Sequence, residues 1–112
     1  MSYDRNLDSI EDIVRSIQFV VEYASTITEE FYSVDHAAQN VIIRELTIIG
    51  EAARRLTKDF VEQHPEIPVA SMISMRNAIV HDYDDVRLPW IWATVRDDLP
   101  PLLTTLAPML RP

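Results

Sequence analysis

The chain contains no cysteine, which excludes a disulfide framework, a thiolate metal site and a cysteine nucleophile. Glycine is almost as scarce, with Gly50 the only one in 112 residues. Hairpins and bulges draw on glycine for positive φ, so an all-β fold with many hairpins is excluded. Basic charge is short as well. Eighteen acidic and ten basic side chains give a net charge of −8, and nine of the ten bases are arginine, Lys58 being the exception. Such a chain does not coat nucleic acid by bulk charge. No apolar run approaches the ~18 residues of a membrane span. Met1 to Arg5 lack the charged-then-apolar start of a secretory signal, so a cytoplasmic location and no membrane partner are expected.

What is present is the balance of a soluble globular chain, 47% hydrophobic and 25% charged, and its length suits one domain over residues 1–112. Leu7, Ile10, Val14, Ile17, Val21 and Ala24 alternate at three and four residues, and Ile13, Val20 and Ile27 form a second row beside them. This double row is wider than a two-stranded seam and points to a globular bundle. Asp4 or Asp8 can cap this helix. Ile42, Leu46, Ile49, Ala53, Leu56 and Phe60 repeat the pattern, with Ser33 or Asp35 as cap. Pro65 and Pro68 break the chain, and a short third helix is expected from about Val69 to His81. Pro89 suits the first turn of a fourth helix, which Pro100-Pro101 must kink or end. The expected fold is therefore all-α: an up-and-down four-helix bundle with a short third helix and a broken last one.

Placed on a helical wheel at about 100° per residue, Met72, Met75 and Ile79 of the third helix gather toward the core. Ser74, Asn77 and His81 gather on the roughly opposite side. Ile73 and Val80 make a second apolar strip beside Arg76, and a second copy of the same surface is one economical cover for it. Taken singly, His81 reads as a residue that closes a helix, where a cation complements the dipole. Arg76 alone reads as a salt-bridge partner of Asp82, Asp84 or Asp85. His36 and His64 read as surface residues at a helix start and in the proline break. No His-x3-His or His-Glu-x2-His spacing occurs, so neither a metal site nor a cofactor is expected. On the second helix Arg44, Glu51, Arg55 and Lys58 fall on one face, which for Arg55 and Lys58 reads as a solvated stripe.

Arg76-Asn77-Ala78-Ile79-Val80-His81-Asp82-Tyr83 is Arg, four residues, His, one residue, Tyr. It resembles the signature of HepT-like toxins in the HEPN superfamily of metal-independent ribonucleases. The resemblance extends to Ile48-Ile49-Gly50-Glu51-Ala52, to Pro65-Glu66-Ile67-Pro68 and to Trp92 through Leu99-Pro100, about two thirds of the chain. Val69 stands where the family usually has Trp after Ile-Pro. The resemblance implies a HEPN-like bundle that works as a homodimer, with Arg76 and His81 catalytic at a composite cleft. It also places Arg44 and Glu51 near that cleft. Tyr83 matches the tyrosine to which a partner MNT-type nucleotidyltransferase antitoxin transfers AMP.

The chemistry is consistent with those residue types. Metal-free RNA cleavage uses the 2′-hydroxyl as an internal nucleophile and needs a base, an acid and a cation for the charge on phosphorus. Histidine suits proton transfer because its unperturbed pKa is ~6.5, and the arginine fork suits phosphate. Asn77 could orient the ring of His81 or donate to a phosphate, and Glu51 could hold Arg76 or Arg44. One protomer offers a single well-placed histidine, and a dimer offers two. AMP on Tyr83 would block the cleft and repel RNA. The expectation is a ribonuclease toxin of a toxin–antitoxin pair; the alternative is a non-catalytic helical partner or substrate of a nucleotidyltransferase.

Overall fold

The computed structural model describes residues 4–81 and 87–111, and every described element is helical. Helix α1 spans Arg5–Ser25, α2 Glu29–Val34, α3 His36–Arg54, α4 Lys58–Gln63, α5 Val69–His81, α6 Leu88–Ala93 and α7 Leu99–Leu106. A π-helical turn, Thr94–Asp98, joins α6 to α7, and a 3-10 turn, Ala107–Leu110, follows. The all-α class is as expected from the sequence, with two short helices, α2 and α4, added to the four anticipated.

Side-chain caps set the starts. Asp4 accepts from the backbone N–H groups of Asn6 and Leu7, Thr28 from Phe31, Asp35 from Ala38 and Thr57 from Phe60. Thr57 also explains why the second long helix stops short of Phe60. The α3 helix ends at Arg54, and the Asn6 side chain then grips Thr57 twice. Its Nδ2 donates to Thr57 Oγ1 at 3.1 Å and its Oδ1 accepts from Thr57 N at 2.9 Å. A reciprocal cap from another helix outweighs a continuous apolar pattern, because it satisfies backbone groups that the break exposes. Lys58 therefore lies on α4, off the face it was expected to share with Arg44 and Glu51, and Arg55 pairs with Asp12 at 2.9 Å.

Helix α3 is the centre of the bundle and packs against α1 on one side and α5 on the other. The buried stripe of α1 is Ile10, Ile13, Val14, Ile17 and Val20, while Leu7 is exposed. Of the two rows in the sequence, the core thus takes most of one and part of the other. Ile42, Leu46, Ile49, Met72, Ile79, Ile91, Val95, Leu99 and Leu106 are among the other buried side chains of the core, each side chain of this size worth about 1.5–3 kcal/mol when fully buried.

Tyr32 ties the last helical stretch to this body. It is buried, packs on Trp92 at 5.1 Å between centroids and donates its hydroxyl to Leu88 O at 2.9 Å. Burial, with a smaller contribution from Glu29, pushes its pKa up to about 12. The π turn has an equally local cause. Pro100 and Pro101 lack N–H groups, and their rings crowd the carbonyls one turn back. The helix widens there, with Leu99 N–H donating to Thr94 O.

Candidate functional site

Gly50 makes the site possible. A Cβ at this position would collide with Cβ of Arg76 and lie 2.8 Å from its Cγ and 3.0 Å from Met72 O. Gly50 has no positive φ, so it serves close approach and not backbone conformation. The absent side chain lets α5 settle on α3 with Arg76 directly over the seam.

Next along α3, Glu51 receives Arg76. Its Oε1 accepts from Arg76 Nε at 2.8 Å and from Arg76 Nη2 at 2.5 Å, and Arg54 Nη1 stands 3.9 Å from Oε2. The Arg76 side chain is 16% exposed and that of Glu51 42%, so the guanidinium is shielded while the carboxylate stays partly in solvent. Arg76 Nη1 donates to Asn77 Oδ1 at 3.0 Å. Three of the five guanidinium N–H groups are thus committed, and two have no partner among the described residues. With Oδ1 turned to Arg76, the Nδ2 end of Asn77 remains a donor facing outward.

His81 closes α5 and is exposed. It follows Asn77 by one turn, within about 40° on the wheel, but is about 140° round from Arg76. Asn77 is therefore the link: it touches Arg76 and shares the face of His81. The wheel read from the sequence holds for Met72 and Ile79, which are buried, and for Ser74, Asn77 and His81, which are exposed. Val80 is 44% exposed beside the partly buried Ile73, an apolar strip next to the site.

Arg44 does not join this group. It is exposed and donates to Glu45 Oε2 at 3.0 Å, in a groove between α1 and α3 that Arg15 and Phe19 also line. Glu51 meets Arg76 and not Arg44. Tyr83, with Asp82, Asp84 and Asp85, lies outside the described residues. His36 is exposed at the start of α3, and His64 packs on Phe60 and contacts Glu66 Oε1 at 2.8 Å. A backbone hydrogen bond, followed by His64, holds the Glu66 carboxyl below its usual range. Among the described residues no group of three His, Asp or Glu side chains gathers to hold a metal ion.

The role of Gly50 has a signal in the sequence other than spacing. A helix-interior glycine costs about 1 kcal/mol against alanine, so the only glycine of a chain, placed mid-helix, marks a close approach.

The profile of the family described as Ribonuclease HepT-like matches residues 9–109. The chain belongs to the HepT-like ribonuclease family. The probable ribonuclease HepT of Thermococcus cleftensis is 39% identical over 95 residues, covering 85% of this chain and 86% of that protein. A candidate RNase of Caldanaerobacter subterraneus is 32% identical over 93 residues, with 83% of each chain covered. Another, of Methanocaldococcus jannaschii, is 33% identical over 89 residues, 80% of this chain and 82% of its own. No solved structure gives a significant match. The enzymatic class is accordingly that of a ribonuclease. In this HepT-like chain the motif arginine and the Gly-Glu element of α3 form one contact, and the motif histidine stands at the open end of the same helix.

Proposed function

We propose that this chain is a metal-independent endoribonuclease, the toxin of a toxin–antitoxin pair, that cleaves RNA by 2′-hydroxyl attack at a homodimeric cleft. The observation that carries the reading is Arg76, anchored on Glu51 and bridged to Asn77, on the helix that ends in exposed His81. One His81 takes the 2′-hydroxyl proton as the 2′-oxygen bonds to phosphorus. The P–O5′ bond breaks, and a second His81 from the facing copy protonates the leaving oxygen, which leaves a 2′,3′-cyclic phosphate. Arg76 neutralises charge on the phosphoryl oxygens through its uncommitted N–H groups, and Asn77 Nδ2 adds a further donor. The Ile73–Val80 strip supports the dimer, because it offers apolar area on α5 between Arg76 and the Asn77–His81 face. Arg44, paired with Glu45 in the groove between α1 and α3, takes no part in this proposed site.

Tyr83 is the proposed acceptor of AMP from an MNT-type nucleotidyltransferase antitoxin. Two residues from His81, the modification places a bulky anion where the RNA phosphate must sit.

Purified protein incubated with single-stranded RNA in the presence of a chelator tests the reaction. Cleavage to cyclic-phosphate ends is expected, and His81→Ala should lower its rate about 100- to 10,000-fold at unchanged thermal midpoint. Equal rates for His81→Ala and the parent would refute the mechanism, as would cleavage of a substrate lacking 2′-hydroxyls.

A further inference from the structure

The flank of α5 away from Arg76 borders an open groove of about 710 Å³, within the ~300–1,000 Å³ range of small-molecule pockets. It arises because α5 packs on α3 while the stretch from α6 to α7 packs mainly on α1. Ser74, Met75 and Ala78 form one wall, and Trp90, Asp97 and Asp98 form the other.

Three features bear on what the groove holds. Trp90 is 44% exposed, whereas Trp92, one face away on the same helix, is 8% exposed and serves the core. An indole left open at the lip of an apolar groove is a stacking platform for an unpaired base. Among the described residues, the charged groups lining the groove are the carboxylates of Asp97 and Asp98. Asp97 is engaged by Arg96 at 3.1 Å, while exposed Asp98 has no partner among the described residues. An ionised carboxylate only accepts hydrogen bonds, so the groove repels phosphate and admits an N–H edge. Finally, His81 lies one turn beyond Ala78, about 60° round the helix and ~4.5 Å along it. A nucleotide with its base in the groove would present its phosphate at the end of α5.

We infer that this groove is a nucleobase subsite selecting guanine beside the scissile phosphate, with Trp90 stacked on the base and Asp98 accepting from it. The choice among bases follows from donor geometry. Guanine presents N1–H and the 2-amino group side by side, matching the two oxygens of one carboxylate. Adenine and cytosine present one amino donor on that edge, and uracil presents N3–H between two carbonyls that a carboxylate repels. This subsite rests on the ribonuclease reading, and it gives the acidic surface a role: bases enter from the acidic flank of α5 and phosphates from the Arg76 flank.

The test uses short oligouridylates carrying one guanosine, adenosine, cytidine or inosine, with cleavage rates measured at and around that position. Matching 2′-fluoro oligonucleotides, which lack the nucleophile, are titrated by fluorescence anisotropy. The parent should prefer guanosine to uridine by about tenfold or more, the scale of a bidentate base contact. Inosine, which lacks the 2-amino group, should fall between them. Asp98→Asn should bring the guanosine rate down to that of uridine. Trp90→Ala should weaken binding of the guanosine oligonucleotide at least about fivefold, on the scale of one base–aromatic stack, and Trp90→Phe should restore most of it. Equal cleavage and binding of all four bases by the parent would overturn the subsite, as would an unchanged guanine preference in Asp98→Asn. RNA binding unaltered in Trp90→Ala would also overturn it. Failure of the nuclease reading looks different: the RNA stays intact, while the 2′-fluoro series still reports whether guanine is selected.

Discussion

The two flanks of α5 are opposites built on one helix. On the α3 side the contact is close and polar: Gly50 admits Arg76, and Glu51 holds it. On the α6 side the helices stand apart, and the gap is apolar with a carboxylate rim. The first arrangement is costly to disturb because several groups share one geometry. The second tolerates change because Trp90 and Asp98 are exposed. The chain carries a net charge of −8, yet the two flanks differ in sign: Arg76 and Arg54 meet Glu51 at the seam, whereas Asp97 and Asp98 line the groove.

Substitutions that strike one flank alone should separate them. The largest effect is expected for Gly50→Ala, whose new Cβ forces α5 off α3. Overpacking of this kind costs about 1–3 kcal/mol, and displacing Arg76 by about an ångström should slow cleavage on the order of 100-fold. Thermal unfolding and single-turnover rates check this, and an Ala variant of parental stability and rate would break the contrast. Glu51→Gln should act more gently. The amide oxygen can still accept from Arg76 but carries no charge, so turnover should fall about tenfold while stability shifts by less than about 1 kcal/mol. Base preference should survive in Glu51→Gln, since that change leaves α5 and the groove where they are.

The smallest effect is expected for Tyr32→Phe, which loosens the wall of the groove and not the seam. Loss of the hydroxyl bond to Leu88 O should cost about 1 kcal/mol at neutral pH. The sign at high pH is distinctive. The unfolded tyrosine ionises near 10.0, whereas the folded one stays neutral to about 12. The unfolded state therefore releases a proton first, and stability falls as pH rises across that window. Tyr32→Phe should remove this part of the alkaline slope, as denaturant titrations at several pH values would reveal.

Helix α5 and the Arg76–His81 motif were legible because periodicity and motif agree over one continuous segment. The ends of α3 were not. The apolar alternation runs on through Leu56 to Phe60, and nothing near Thr57 announces that Asn6, 51 positions away, will cap a break there. Glu51 was legible as a candidate holder, but the choice of Arg76 over Arg44 depends on which helix lies beside its carboxylate. The groove left no local trace, since Ser74, Trp90 and Asp98 converge only through the packing of separate elements.

Composition and spacing were enough to settle the helical class, the acidic character and the absence of thiol chemistry. These follow from side-chain type and from the 3.6-residue period, which are local properties. Three-dimensional packing alone decided that the single glycine is a docking notch, that Asn77 bridges Arg76 to the face of His81, and that α5 separates a cationic seam from an acidic groove. Such outcomes depend on interhelical distances of a few ångströms, and only the packed core, acting on all the helices at once, sets those distances.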